Sequence, residues 1–158
     1  MGYALLKLLH LGSVVIWVGG MFFTLFCLRP AAAMLEPAVR VPFMAKLLGR
    51  FFAVVLWLAL ATVASGVAMV VRVAQTTRQT GAAFNMPVDW MAMAGLGLLM
   101  LAIFGHIRFA LYKRLARAAA AQDWPAGGAA VTEIRFWVGV NLALGSLIIL
   151  IVVLGAAS

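Results

Sequence analysis

This sequence predicts an all-α integral membrane protein, a four-helix bundle built as one domain over residues 1–158. Three observations predict it. The chain is 66% hydrophobic and 10% charged, with a mean hydropathy of +1.14, more apolar surface than a soluble domain of this size can hide. Four apolar segments, 4–28, 51–73, 90–112 and 136–157, are each long enough to cross a hydrocarbon core, about 30 Å or roughly 20 helical residues. None of them alternates as a barrel strand would, which leaves helices.

The charge pattern orients the bundle. The net charge of +8 raises nucleic acid as a partner, but its distribution argues against that class. Arg29, Arg40, Lys46 and Arg50 fall in the first connection, and Arg108, Lys113, Arg114, Arg117 and Arg135 in or beside the third. Only Lys7, Arg72 and Arg78 fall on the opposite side. This bias puts the first and third connections in the cytoplasm and both termini outside, in the periplasm of a Gram-negative cell. The basic residues read as topology determinants and contacts to anionic lipid, with no nucleic-acid role. The first apolar run lacks a basic segment ahead of it and is too long for a cleaved leader, so it is expected to stay as a span. The single cysteine, Cys27, can form no disulfide within the chain.

Taken in order, helix 1 shows a stripe of Tyr3, His10, Ser13, Trp17, Gly20, Thr24 and Cys27, mostly at spacings of three and four, one face of a helix in a bundle. The first connection, 29–50, contains Pro30, Pro37 and Pro42, and its part from Pro42 to Arg50 reads as a short interfacial helix. Helix 2 offers Trp57, Thr62, Ser65, Gly66 and Met69 for packing. Asp89 is expected to cap helix 3, whose small-residue face is read as Ala92, Gly95, Leu99, Ala102, His106 and Phe109. The third connection reads as a helix ended near Trp124-Pro125. Helix 4 presents Trp137, Asn141, Gly145, Ile148 and Val152. Arg50-Phe-Phe parallels Arg135-Phe-Trp, and Arg29 parallels Arg108, which suggests two helical hairpins related by a pseudo-two-fold axis with Cys27 opposite His106.

The chemistry available is narrow. No Asp or Glu lies inside a span, which counts against a carrier working through a buried carboxylate. No nucleophilic triad, phosphate loop or cysteine pair is present. Histidine, methionine, one cysteine and aromatics remain. His10 with Met69, Met91 and Met93 belongs to the outward half, and thioether with imidazole suits monovalent copper. His106 lies nearer the inward pole. Methionine as simple filler of an apolar bundle is the competing reading.

Two histidines also raise haem b, with His10 and His106 as axial ligands. The axial offset between them, on the order of 15 Å at 1.5 Å per residue, is too large for both to bind one iron within one chain. A haem on one histidine, or one shared in a homo-oligomer, stays open. In that case an oxidoreductase activity is conceivable. Equally open is a purely structural His10, hydrogen-bonded to Ser13, a carbonyl or a neighbouring helix, because an unpaired ring in lipid is costly.

The run Leu9-His10, six residues, Trp17-Val-Gly-Gly20-Met-Phe, then Leu28-Arg29-Pro30 resembles the CopD family of bacterial inner-membrane proteins. Gly105-His106-Ile-Arg108, Asp123-Trp-Pro-Ala and Asn141-Leu-Ala-Leu-Gly145 look like its small stand-alone members. The resemblance implies a copper role at the inner membrane, placed on His10 and the outer methionines. The His-to-Trp spacing is also similar to the HemJ family of haem b proteins, in which His10 would match the helix 1 histidine. Here Thr24-Leu-Phe-Cys-Leu-Arg-Pro replaces that family's aromatic-Leu-Pro-Arg run.

Overall fold

The computed structural model describes residues 2–155. The predicted end of the last span, 156–157, lies outside the described residues. The described residues form four long helices: α1 (Gly2–Ala33), α2 (Pro37–Gln79), α3 (Val88–Ala120) and α4 (Trp124–Gly155). No strand occurs among the described residues. Each helix carries a stretch long and apolar enough to cross a membrane. Neighbours in sequence are antiparallel. His10 of α1 meets Thr62 and Ser65 of α2, Phe52 of α2 meets Phe104 and Tyr112 of α3, and His106 of α3 meets Trp137 of α4.

The helices are longer than the spans read from hydropathy. The 43 residues of α2 extend about 65 Å, twice the thickness of a hydrocarbon core. The first connection is therefore not a loop with a separate interfacial helix. Only residues 34–36 are non-helical, and Pro37 starts α2 in the first turn, where its missing N–H is not needed. Pro42 removes one helical hydrogen bond, yet the helix runs through it. Val41, Met44, Ala45 and Leu48 bury one continuous face there, against Leu115 of α3 and Ala130 and Ile134 of α4 in a shared core. This end of the bundle is an extension with a conventional interior and a basic exterior.

Two helix boundaries also differ from expectation. Trp124-Pro125 begins α4 rather than ending α3. The chain turns at Gln122, in the left-handed region at φ 56°, and Asp123 Oδ1 accepts the Ala126 N–H at 3.0 Å. Asp89 does not cap α3: Pro87 occupies that position, and Asp89 lies in the first turn, where its charge suits the helix dipole.

Both odd-numbered helices contain a single π-helical turn, Thr24–Leu28 in α1 and Ile107–Leu111 in α3. The extra residue in such a turn rotates everything beyond it. That is why the buried stripe of α1 passes from Trp17, Met21 and Thr24 to Ala32 and leaves Cys27 exposed. The π turns also set the register of the internal repeat. Trp17, Met21 and Thr24 correspond to the equally buried Met100, Phe104 and Ile107. Val41, Met44, Leu48, Phe52, Val55 and Ala59 correspond to Gly127, Ala130, Ile134, Val138, Asn141 and Gly145. The repeat is thus shifted from the one suggested by the arginines, and Cys27 matches Ala110, not His106.

The buried face of α3 is Met100, Ile103, Phe104, Ile107 and Leu111. The small-residue face expected to pack points away from the bundle: Gly95, Leu99, Ala102, His106 and Phe109 are exposed and Ala92 is half-buried. Trp57 of α2 is 73% exposed. The expected face of α4 is correct at its centre, Asn141 and Gly145, and only half-buried at Trp137, Ile148 and Val152.

Glycine decides the closest approach of α2 and α4. A Cβ on Gly127 would lie 2.5 Å from Val41 Cγ1, whereas one on Gly139 would meet nothing within 4 Å. Gly127→Ala is therefore expected to destabilise the purified protein by about 1–3 kcal/mol, as overpacking does. Gly139→Ala should be neutral or stabilising by up to about 1 kcal/mol through helix propensity. Thermal unfolding in detergent checks the pair, and equal Tm values would refute the contact.

Candidate functional site

His10 is half-buried on the face of α1 that meets α2. Its Nδ1 lies 2.9 Å from the Thr62 carbonyl oxygen and 3.3 Å from Ser65 Oγ. A carbonyl can only accept, so Nδ1 carries the proton and donates it. The Ser65 hydroxyl is itself committed as a donor to the Ala61 carbonyl, and the Thr62 hydroxyl to the Leu58 carbonyl at 2.8 Å. The Ser65 hydroxyl is also within donating distance of the Thr62 carbonyl, at 3.1 Å, but its shorter bond is to Ala61, which leaves that carbonyl able to accept from the imidazole. The neutral ring is therefore held as the Nδ1–H tautomer, with an unprotonated Nε2 whose lone pair is free.

Room for the ring comes from Gly66. A Cβ there would stand 3.2 Å from His10 Cε1 and 3.4 Å from Nδ1. Glycine at this position lets the imidazole lie flat on α2 within reach of the carbonyl. Ser13, weighed as a partner, does not receive the ring, although it is buried one turn along.

The other candidates scatter. Met69 is half-buried on α2, one turn beyond Ser65 toward the same end of the bundle as His10. Met93 is half-buried on α3, at the position of the second hairpin that corresponds to His10 in the first. Met91 is 50% exposed on the surface of α3. His106 is exposed and stacks edge-to-face on Trp137, ring centroids 5.6 Å apart, rather than meeting Cys27 or Asn141. The two histidines do not converge. Trp17 touches Phe104, so His10, two turns above Trp17, and His106, just below Phe104, are about 13 Å apart along the bundle. One haem iron cannot take both. No group of three or more His, Cys, Asp or Glu side chains fit to hold a metal occurs among the described residues.

Trp17 and Gly20 have structural tasks. Trp17 packs edge-to-face on Phe104 at 5.9 Å in mid-bundle, two turns below the histidine rather than over it. The Phe51 ring lies against Gly20, where a Cβ would come within 2.5 Å of Cε2.

The Thr62 carbonyl could not be foreseen, because backbone acceptors leave no trace in sequence. Ser65 and Gly66 were visible only as small residues. Asn141 carries a cost that its place on the packing face did not suggest: it is 1% exposed, and its side-chain oxygen has no hydrogen-bond donor. A buried unsatisfied acceptor is costly. Asn141→Leu is expected to stabilise the protein by about 1–3 kcal/mol, seen as a higher Tm in detergent. A lowered Tm would show that the amide is satisfied in the membrane by water or an ion.

Among known proteins, the family model described as CopD, copper resistance protein D, matches residues 45–154. The match runs from the first third of α2 to the end of α4 and leaves α1, with His10, outside it. No curated protein and no solved structure matches the chain.

Proposed function

The chain belongs to the CopD family of copper resistance proteins, and from that premise we propose that it carries copper through the membrane region as cargo, with His10 Nε2 as the first ligand. The observation that supports this reading is the hydrogen bond from His10 Nδ1–H to the Thr62 carbonyl. Metal-binding histidines are commonly held this way, by a bond from one ring nitrogen that orients the other toward the metal. Monovalent copper is soft and accepts imidazole and thioether in low coordination numbers. Met69, on the same face of α2, is the proposed thioether partner, and Met93, at the equivalent place in the second hairpin, is left out. Met91 and His106 lie away from this face and are left out of the path.

A site of one imidazole and one mobile thioether binds weakly and releases readily. That suits transfer better than storage, which calls for a closed ligand set. The charge bias puts this end of the bundle outward, so His10 would receive copper from the outer side. An alkaline phosphatase fused to the C-terminus should be active, and an inactive one would overturn that orientation.

His10→Ala is expected to abolish copper-dependent accumulation in cells and to weaken Cu(I) binding by the purified protein. Gly66→Val, which crowds the ring without removing it, should weaken binding about tenfold, the scale seen when the group orienting a metal-bound histidine is disturbed. Competition titration with a Cu(I) chelator measures both. Unchanged affinity in both variants would refute the assignment. A Soret band in the wild-type protein that is lost in His10→Ala would replace copper with haem b.

A further inference from the structure

The end of the bundle opposite His10 holds a cavity of ≈ 170 Å³ between α1, α2 and α4. Three arginines line it: Arg29 from the end of α1, Arg40 from the first turns of α2, and Arg135 of α4. Arg40 and Arg135 are half-buried. No carboxylate lines it. The one ion pair among the described residues, Arg114 to Glu133 at 3.4 Å, is formed elsewhere. Asp123 is engaged with the start of α4. Three arginines, the exposed Arg29 and the half-buried Arg40 and Arg135, thus border one cavity with no acidic residue in its lining, a concentration of positive charge that an anion would relieve.

The internal repeat shows that this cavity is not a by-product of the topology. In the register set by the buried faces, Arg29 corresponds to Tyr112, and Arg135 to Gly49. At that equivalent place the Tyr112 hydroxyl end packs directly over Gly49 and fills the space. The half-buried Tyr112 ring is itself covered by the Arg108 guanidinium, 5.2 Å from its centroid. One hairpin closes the position with an aromatic ring. The other keeps it open and lines it with positive charge. Gly128, where a Cβ would meet nothing within 4 Å, adds to the opening, and the Thr132 hydroxyl donates to the Gly128 carbonyl at 3.0 Å.

Depth and size indicate the ligand. Arg29 and Arg135 sit where the apolar stretches of α1 and α4 end, which would put them at headgroup level with Arg40 farther out. The volume would take about five waters at roughly 30 Å³ each, which accommodates a phosphate and its first ester atoms. Met44 and Val41 supply an apolar wall beside the arginines. We propose that this cavity is a binding site for a phosphate group, that of an anionic phospholipid headgroup or free phosphate. It fastens the extension of the bundle at one membrane surface and does not depend on the copper reading.

The full-length protein in neutral detergent is titrated with phosphatidylglycerol, with phosphatidylcholine, and with inorganic phosphate, following Tm and the lipid retained in native mass spectrometry. Stabilisation by phosphatidylglycerol but not phosphatidylcholine assigns the site to anionic lipid, and stabilisation by inorganic phosphate assigns it to free phosphate. Arg29→Gln, Arg40→Gln and Arg135→Gln should each weaken the effect about fivefold, the contribution of one basic residue at an anionic surface. Lys46→Gln and Lys113→Gln, at the same end but outside the cavity, should leave it unchanged. Gly128→Met keeps the charge and fills the space, and should also abolish binding in a protein whose unliganded Tm is unaltered. No stabilisation by either anion, equal losses in the lysine controls, or full binding by Gly128→Met would each overturn the proposal.

Discussion

A polar group inside a bilayer has no water to bond with, so the chain must supply its partner. That constraint organises the half of the bundle around His10. The hydroxyls of Thr62 and Ser65 satisfy themselves within their own helix, on the carbonyls of Leu58 and Ala61. The imidazole has no such local option and crosses to α2. Its bond to the Thr62 carbonyl ties two helices together, and the same bond determines which ring nitrogen keeps a lone pair. Structure and chemistry are therefore set by one contact. The copper reading follows from that contact together with the family to which the chain belongs.

The opposite end obeys different physics. Beyond the apolar spans, α2, α3 and α4 continue as an extension with a buried interior of Val41, Met44, Leu48, Leu115 and Ile134. There the hydrophobic effect holds the helices together, and the exterior carries most of the positive charge. The two hairpins repeat one buried pattern but diverge where α1 meets α4 and where α3 meets α2. Tyr112 closes one of these places and arginines keep the other open. A cavity lined with charge in one hairpin, where the other hairpin packs an aromatic ring, is where a specific task is expected.

Membrane insertion, helix number and the approximate spans were legible in the sequence, because length and apolarity are enough to state them. The inward stripe of α1 was legible from Ser13 to Thr24, since polar and small residues stood out against Leu, Val and Phe. The packing face of α3 was not. Lipid is as apolar as a helix interface, so Met100, Phe104 and Ile107 could face either way, and the small residues Gly95 and Ala102 turned out to lie on the exposed side. The π turns were invisible for a related reason. An extra residue within a turn changes phase without changing composition, and Cys27 was carried to the surface by it. Of the candidate site, His10 and its direction toward another helix were readable, whereas its acceptor was a backbone carbonyl. The cavity at the arginines was hidden because the reading of 29–50 as a connection with its own interfacial helix separated Arg40 from the bundle.

The central claim is that α2 holds His10 as the Nδ1–H tautomer with Nε2 free to take a metal. The ¹⁵N NMR spectrum of the imidazole, in protein labelled at histidine and reconstituted in nanodiscs, tests it most directly, with His10→Ala used to assign the signal. The account predicts that the neutral ring carries its proton on Nδ1 and leaves Nε2 unprotonated, with a change confined to Nε2 when Cu(I) is added. A proton on Nε2, or a spectrum indifferent to Cu(I), would contradict it.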